Sequence, residues 1–349
     1  MKDGILVLNK PQEWTSSDCV AICRRVLGVK GIKKVGHGGT LDPMATGVLP
    51  IFVGQATRIM EYMDLDYKTY LCEARFGLTT DTLDIWGEVI EMIDWSNFLA
   101  EREAEGRALT REEVVEALMS FKGSIEQIPP MYSAVRINGK RLYEYAYKGK
   151  ELSQEVRDEI KKRKAYIKRI ELGDLSLEEG RITFLVECSK GTYIRTICHD
   201  LGQKLGCGCT MTGLIRTAVG NIAIDKAGIT AEDVKNMDAG ELEGLLLPPD
   251  YPLVHFGIVY MPKDRADYFS RGNSIRLRQI RIVKKPNLEA LAESGRTCGT
   301  GNIPKNARGR SYQYIYKVYE EGSEEFLGTG YLDEEAGELK ADKVFVEKR

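Results

Sequence analysis

The sequence predicts an α+β fold in two domains, and three observations carry that expectation. Helical and strand periodicities mix along residues 1–247 without the regular alternation of a doubly wound sheet. The stretch "LLLPPDYP" (Leu245 to Pro252) cannot continue a helix or a central strand, which puts a boundary between 247 and 251. Beyond it, many glycines and alternating runs such as "YQYIYKVYEE" read as a small all-β module over 251–349.

Composition sets the class. The chain has 349 residues, 43% of them apolar and 29% charged, which suits a soluble globular protein with a sizeable core. No apolar run approaches the roughly 20 residues of a membrane span. The N-terminal "MKDGILVLNKP" lacks the apolar segment of a signal peptide, so the cytoplasm is the expected compartment. Eight cysteines are present, but no C-x-x-C occurs, and the closest pairs are Cys19 with Cys23 and Cys207 with Cys209. Reduced thiols are expected, and no metal.

The net charge is only −2, yet it is unevenly spread. Arg24 to Lys34 carries five basic residues and no acidic one, and Arg271 to Pro286 carries six and none. Each run suits either a solvated face or a footprint for phosphates.

Taken in order, Ser16 to Leu27 has helical spacing at Val20, Cys23, Val26 and Leu27, with a Ser N-cap and Gly28 as the stop. "YKTYLCEARFG" alternates as a strand. Thr110 to Glu113 reads as a capping box opening a helix. Asn138-Gly139 marks a tight turn, and the aromatic run after it suits a short helix or a second hairpin strand. "GRITFLVECSKGTYIRTICHDLGQKLG" reads as strand, glycine turn and helix, closed by Gly206.

"VGHGGTLDPMATGVLP" (Val35 to Pro50) gathers four glycines around His37 and Asp42. It matches neither a phosphate-binding G-x-x-x-x-G-K-[ST] loop nor a dinucleotide fingerprint. Asp42 before Pro43 either bonds its own turn or acts as a carboxylate in a site. Together with "KTY", "MYSAVRINGKRLYEYA", "SKGTYIRT" and "GLIRTAVG", this stretch closely resembles the TruB family of tRNA pseudouridine synthases. The resemblance runs in order from "LVLNKP" to "GLIRTAVG" and resumes in "YFSRGNSI" and "FLGTGYLDEEAGELKADKVF".

That resemblance implies a mixed, largely antiparallel sheet with flanking helices as the catalytic domain, followed by a PUA-type module. It implies isomerisation of uridine 55 in the T-arm loop of tRNA, without a cofactor. Asp42 matches the catalytic carboxylate, with Arg195 as the counter-ion that keeps it ionised. Tyr70 matches the tyrosine that stacks on the flipped base, Tyr193 one that lines the pocket near the reactive carbons, and Leu214 an apolar pocket residue. His37 matches the histidine that takes the place of the displaced base. Lys10, Lys68 and Arg216 are expected to contact phosphates.

The sequence departs from the family where Gly38 replaces a usual Thr and Tyr147 a usual Arg. The regions 91–113 and 280–310 are longer than the family pattern, and a longer grip on tRNA is expected of the second. A monomer with tRNA as partner, and no obligate protein partner, follows from the same resemblance. The competing reading is a tRNA-folding chaperone, which needs His37, Tyr70 and the basic runs but neither Asp42 nor Arg195.

Overall fold

The computed structural model describes residues 3–29, 31, 34–146, 159–297, 299–306 and 308–345. Tyr147 lies outside them, as do Lys30 and Lys33 of the first basic run. The fold is α+β, with mostly antiparallel strand pairs. Two compact units divide the chain: Met1–Tyr67 with Ala218–Arg349, and Lys68–Thr217.

In the first unit, the Gly4–Lys10 strand pairs antiparallel with Thr46–Val53 and parallel with Ile229–Thr230. Val35–His37 adds to the other side of Thr46–Val53, with His37 opposite Ile51. Gly4–Lys10 is buried on both faces. Ile5 and Val7 join a cluster with Phe52, Tyr62, Phe256 and Tyr312, while Leu6 and Leu8 pack against Cys19, Cys23, Leu27 and Val234. A period of two in the apolar run Ile5–Leu8 serves two cores at once.

The helix over Ser16–Gly28 is capped one residue earlier than expected. Thr15 is the N-cap, and its capping box with Asp18 is complete. Ser16 is thereby freed to bond elsewhere. From Gly257 onward the strands form a separate six-stranded sheet, with Arg281–Lys284 at one edge and the parallel pair Gly257–Met261 and Ile315–Glu320 beside it.

In the second unit, the neighbours in order are Cys209–Val219, Lys68–Phe76, Arg181–Cys188, Arg163–Ser176 and Gly123–Gln127. The last three pairings of that order are antiparallel. Asn138 and Gly139, at φ 51° and 79°, close a hairpin between Arg136–Ile137 and Lys140–Arg141, and a short helix Leu142–Ala146 follows. Positive φ at both central positions is what Asn-Gly permits.

At Thr110 only half of the expected capping box forms. The Thr110 hydroxyl accepts from the Glu113 N–H, but the Glu113 carboxylate makes two 2.8 Å bonds to Arg102. Arg102 belongs to the Trp95–Ala104 helix of the long 91–113 region. That helix is anchored by Trp95, stacked on Phe76 at 5.5 Å and donating to the Leu177 carbonyl.

Candidate active site

Asp42 sits on a turn held on both sides. Before it, the Ser16 hydroxyl donates to the Leu41 carbonyl at 3.1 Å and accepts the Leu41 N–H at 2.8 Å. After it, the Pro43 carbonyl receives the Lys10 ammonium at 3.1 Å and the Glu13 N–H at 2.9 Å. Lys10 also donates to the carbonyls of Trp14 and Pro11, at 2.7 and 2.8 Å. Leu41, Met44 and Ala45 are buried around a half-buried Asp42. A backbone tied at three of its peptide groups aims one carboxylate in a fixed direction.

The glycines beside His37 answer to packing as much as to freedom. A Cβ on Gly38 would lie 2.7 Å from Cε2 of Phe52, and the Gly38 N–H donates to the Pro50 carbonyl at 2.9 Å. The Thr usual in the family would require Phe52 to move.

In the second unit, Tyr193 immediately precedes the Ile194–Leu205 helix. Arg195, 4% exposed, lies in that helix's first turn. Its guanidinium donates to the carbonyls of Thr82 at 2.9 Å and Tyr132 at 3.0 Å. The Asp84 carboxylate is 3.6 Å away. Asp84 is itself oriented, its other oxygen accepting the Thr82 hydroxyl at 2.8 Å and the Trp86 N–H at 3.1 Å. A buried guanidinium needs such partners, because stripping a cation of water costs several kcal/mol.

Strand alternation explains where the remaining candidates lie. Lys68, Tyr70 and Cys72 point to one buried row of their strand, and Leu214 and Arg216 to one buried row of theirs. Tyr70 and Leu214 are thus buried side chains, each 8% exposed.

Burial corrects three expectations. Lys10, Lys68 and Arg216 are buried rather than offered to phosphates, at 0%, 7% and 0% exposure. Lys10 sits inside because three carbonyls replace its water; Lys68 and Arg216 sit inside because their strand positions face inward. By contrast, Arg281–Lys284 is exposed along its whole length.

Asp84 and Ser16 were not singled out in the sequence. A usable signal for Asp84 was the cluster "TTDTLD", whose short polar side chains suit a self-bonded turn. Ser16 carried none, because a serine at a helix start is read as its cap.

The chain shares its fold over 99% of its length with a protein in a solved H/ACA RNP bound to a substrate RNA containing 2′-deoxyuridine, at a TM-score of 0.64 and 19% identity, covering 86% of that chain. Residues 24–194 match the N-terminal domain of the TruB family of pseudouridylate synthases. Residues 195–254 match the C-terminal domain of tRNA pseudouridylate synthase B. A tRNA pseudouridine synthase B from Clostridium kluyveri is 40% identical over 78% of this chain and 86% of its own. One from Clostridioides difficile is 35% identical over 98% of this chain and 99% of its own. These similarities place the chain in the class of pseudouridylate synthases. Within that class it belongs to the TruB family.

Proposed function

We propose that this protein isomerises uridine to pseudouridine at position 55 in the T-arm loop of tRNA. The observation that carries the reading is the placing of the Asp42 carboxylate on a turn clamped through Leu41 and Pro43. The tRNA substrate is supported by relatives named tRNA pseudouridine synthase B.

The reaction breaks the N1–C1′ bond, turns the uracil and joins C5 to C1′. A proton leaves C5 and N1 gains one, so atoms balance without oxidant, reductant or hydrolysis. Asp42 supplies the anionic group acting at the sugar or ring. Its value depends on arriving already oriented, since a fixed group needs no reorganisation in the transition state. The family resemblance assigns Arg195 as the counter-ion, and its guanidinium is held in place by Asp84 and the carbonyls of Thr82 and Tyr132.

A stacked base must leave its loop before reacting. Tyr70 would stack on the extruded uracil, worth about 1–3 kcal/mol per base. Tyr193 and Leu214 would line its pocket, and His37 would fill the vacated place in the loop. The exposed Arg281–Lys284 strand, rather than Lys10, Lys68 or Arg216, is suited to tRNA phosphates. The smaller domain from 251 would act as the RNA-binding module, and the enzyme would work as a monomer.

The test is to incubate the protein with an unmodified tRNA transcript and with one carrying cytidine at position 55, mapping pseudouridine by chemical labelling and reverse transcription. Conversion of the first at one T-loop site and none in the second is expected. Conversion at any other uridine, or none with intact tRNA, contradicts the reading.

A further inference from the structure

Gln127 ends the Gly123–Gln127 strand and is 2% exposed. Its side-chain Nε2 donates to the Tyr193 carbonyl at 3.0 Å, and its Oε1 accepts the Tyr193 N–H at 2.9 Å. One planar amide therefore grips both backbone polar groups of one residue. That residue precedes the Ile194–Leu205 helix with φ −100° and ψ 107° and lends the helix no side-chain cap. We propose that Gln127 is a positioning residue, which fixes the Tyr193 side chain for the uridine by clamping its backbone. The inference rests on the pocket role assigned to Tyr193 above.

Two bonds from one rigid group fix both peptide planes flanking Tyr193, and so fix its Cα–Cβ direction. Among neutral side chains, an amide offers a donor and an acceptor side by side. Asn is one methylene shorter, and Glu would set a carboxylate oxygen against the Tyr193 carbonyl.

The far end of the same turn is held in the same fashion. The Ser189 N–H donates to the Tyr166 carbonyl at 2.9 Å, and the Tyr166 N–H donates to the Ser189 hydroxyl at 2.9 Å. The Thr192 hydroxyl closes the turn onto the Ser189 carbonyl at 2.8 Å. Tyr166 and Gln127 belong to paired strands, in which Arg163 stands opposite Gln127 and Tyr166 opposite Ser124. The sheet thus pins both ends of a turn that contains Gly191 at φ 84°.

Five residues beyond Gln127, the Tyr132 carbonyl holds Arg195. The intervening "IPPMY" contains two prolines, which restrict the backbone between the two anchors. A single stretch of chain therefore orients Tyr193 at one end and Arg195 at the other.

A buried Gln could instead serve stability alone, so the test separates the two roles. Gln127→Glu and Gln127→Met keep the side chain's length. Each would be assayed for kcat, KM and thermal midpoint on unmodified tRNA, alone and combined with Tyr193→Leu. The expected result is a fall in kcat of about 10- to 100-fold in a folded variant, with KM near wild type. Added to Tyr193→Leu, the same change should cost no more than about twofold further, because the group it positions is already removed. Full multiplication of the two effects, or wild-type kcat in folded Gln127→Met, overturns the clamp. Wild-type kcat in Tyr193→Leu would instead overturn the pocket role of Tyr193, and the inference with it.

Discussion

The Lys10 ammonium donates to the Pro43 carbonyl at 3.1 Å, tying the residue after Asp42 to the end of the first strand. Lys10 is fully buried, so it acts on the turn and not on RNA. Lys10→Met keeps most of the stem and leaves carbonyls without their donor, which should cost about 2–4 kcal/mol of stability and lower kcat. The salt dependence of tRNA binding should not change. Replacing exposed Lys284 and Lys285 by Ala should reduce that slope by about one for each phosphate no longer neutralised. Filter binding across a salt series decides; a shallower slope for Lys10→Met would return that residue to the RNA surface.

Asp84 and Arg195 are both buried, 3.6 Å apart. Asp84→Asn keeps an oxygen for the Thr82 hydroxyl and the Trp86 N–H but turns an NH2 toward the guanidinium. Breaking one side of a buried pair costs about 3–5 kcal/mol, and the two carbonyls that remain on Arg195 argue for the lower end. Urea unfolding should show the loss, accompanied by reduced kcat. An unchanged midpoint would mean that the pair contributes nothing to folding.

Thr15 and Asp18 form the capping box ahead of Ser16. Bonds from the Thr15 hydroxyl and N–H hold the Asp18 carboxyl below its ordinary range. A carboxyl whose folded pKa is depressed gives stability that is complete above its unfolded value, roughly 3.9, and is lost as pH falls through the folded value. Thr15→Ala should cost about 1 kcal/mol at neutral pH and flatten that acid-side dependence. Denaturant titrations at neutral and acidic pH would reveal it; parallel pH profiles for wild type and variant would exclude the box.

Much of the fold was written in local pattern. The strand over "KTYLCEARF", the Asn138-Gly139 hairpin and the helix ending at Gly206 each have signals within a few residues. What was not legible depended on contacts distant in sequence. Ser16 reads as a cap until Thr15 takes that place and Leu41, 25 residues on, claims the hydroxyl. Glu113 reads as a capping-box partner until Arg102 competes for it with an ion pair in which one guanidinium nitrogen meets both carboxylate oxygens. Lys10 and Arg216 read as surface cations because residue type alone says so, and the inward row of a strand overrides it. For the site, the motifs pointed to Asp42, Tyr70, Tyr193 and Arg195. Two groups that hold the last pair, Gln127 on Tyr193 and Asp84 on Arg195, lie outside the quoted motifs.

The seven described cysteines are buried thiols. Burial pushes Cys19 up to about 11 and Cys23, Cys188 and Cys207 up to about 12. A thiol reagent at pH 8 should therefore leave these seven unmodified in the folded protein and modify all of them in denaturant. Rapid labelling of any of them in the native state, read by peptide mass, would contradict that burial.

The central claim is that Asp42 is the carboxylate of the reaction, carried on a turn built to hold it. The most direct measurement compares wild type with Asp42→Asn on an unmodified tRNA transcript, following both tRNA affinity and pseudouridine formation at the T-loop uridine. Binding retained within about threefold, with conversion reduced by at least ~10³-fold, is the predicted result. Conversion by Asp42→Asn at a rate near wild type would remove Asp42 from the chemistry and leave its clamped turn without a catalytic purpose.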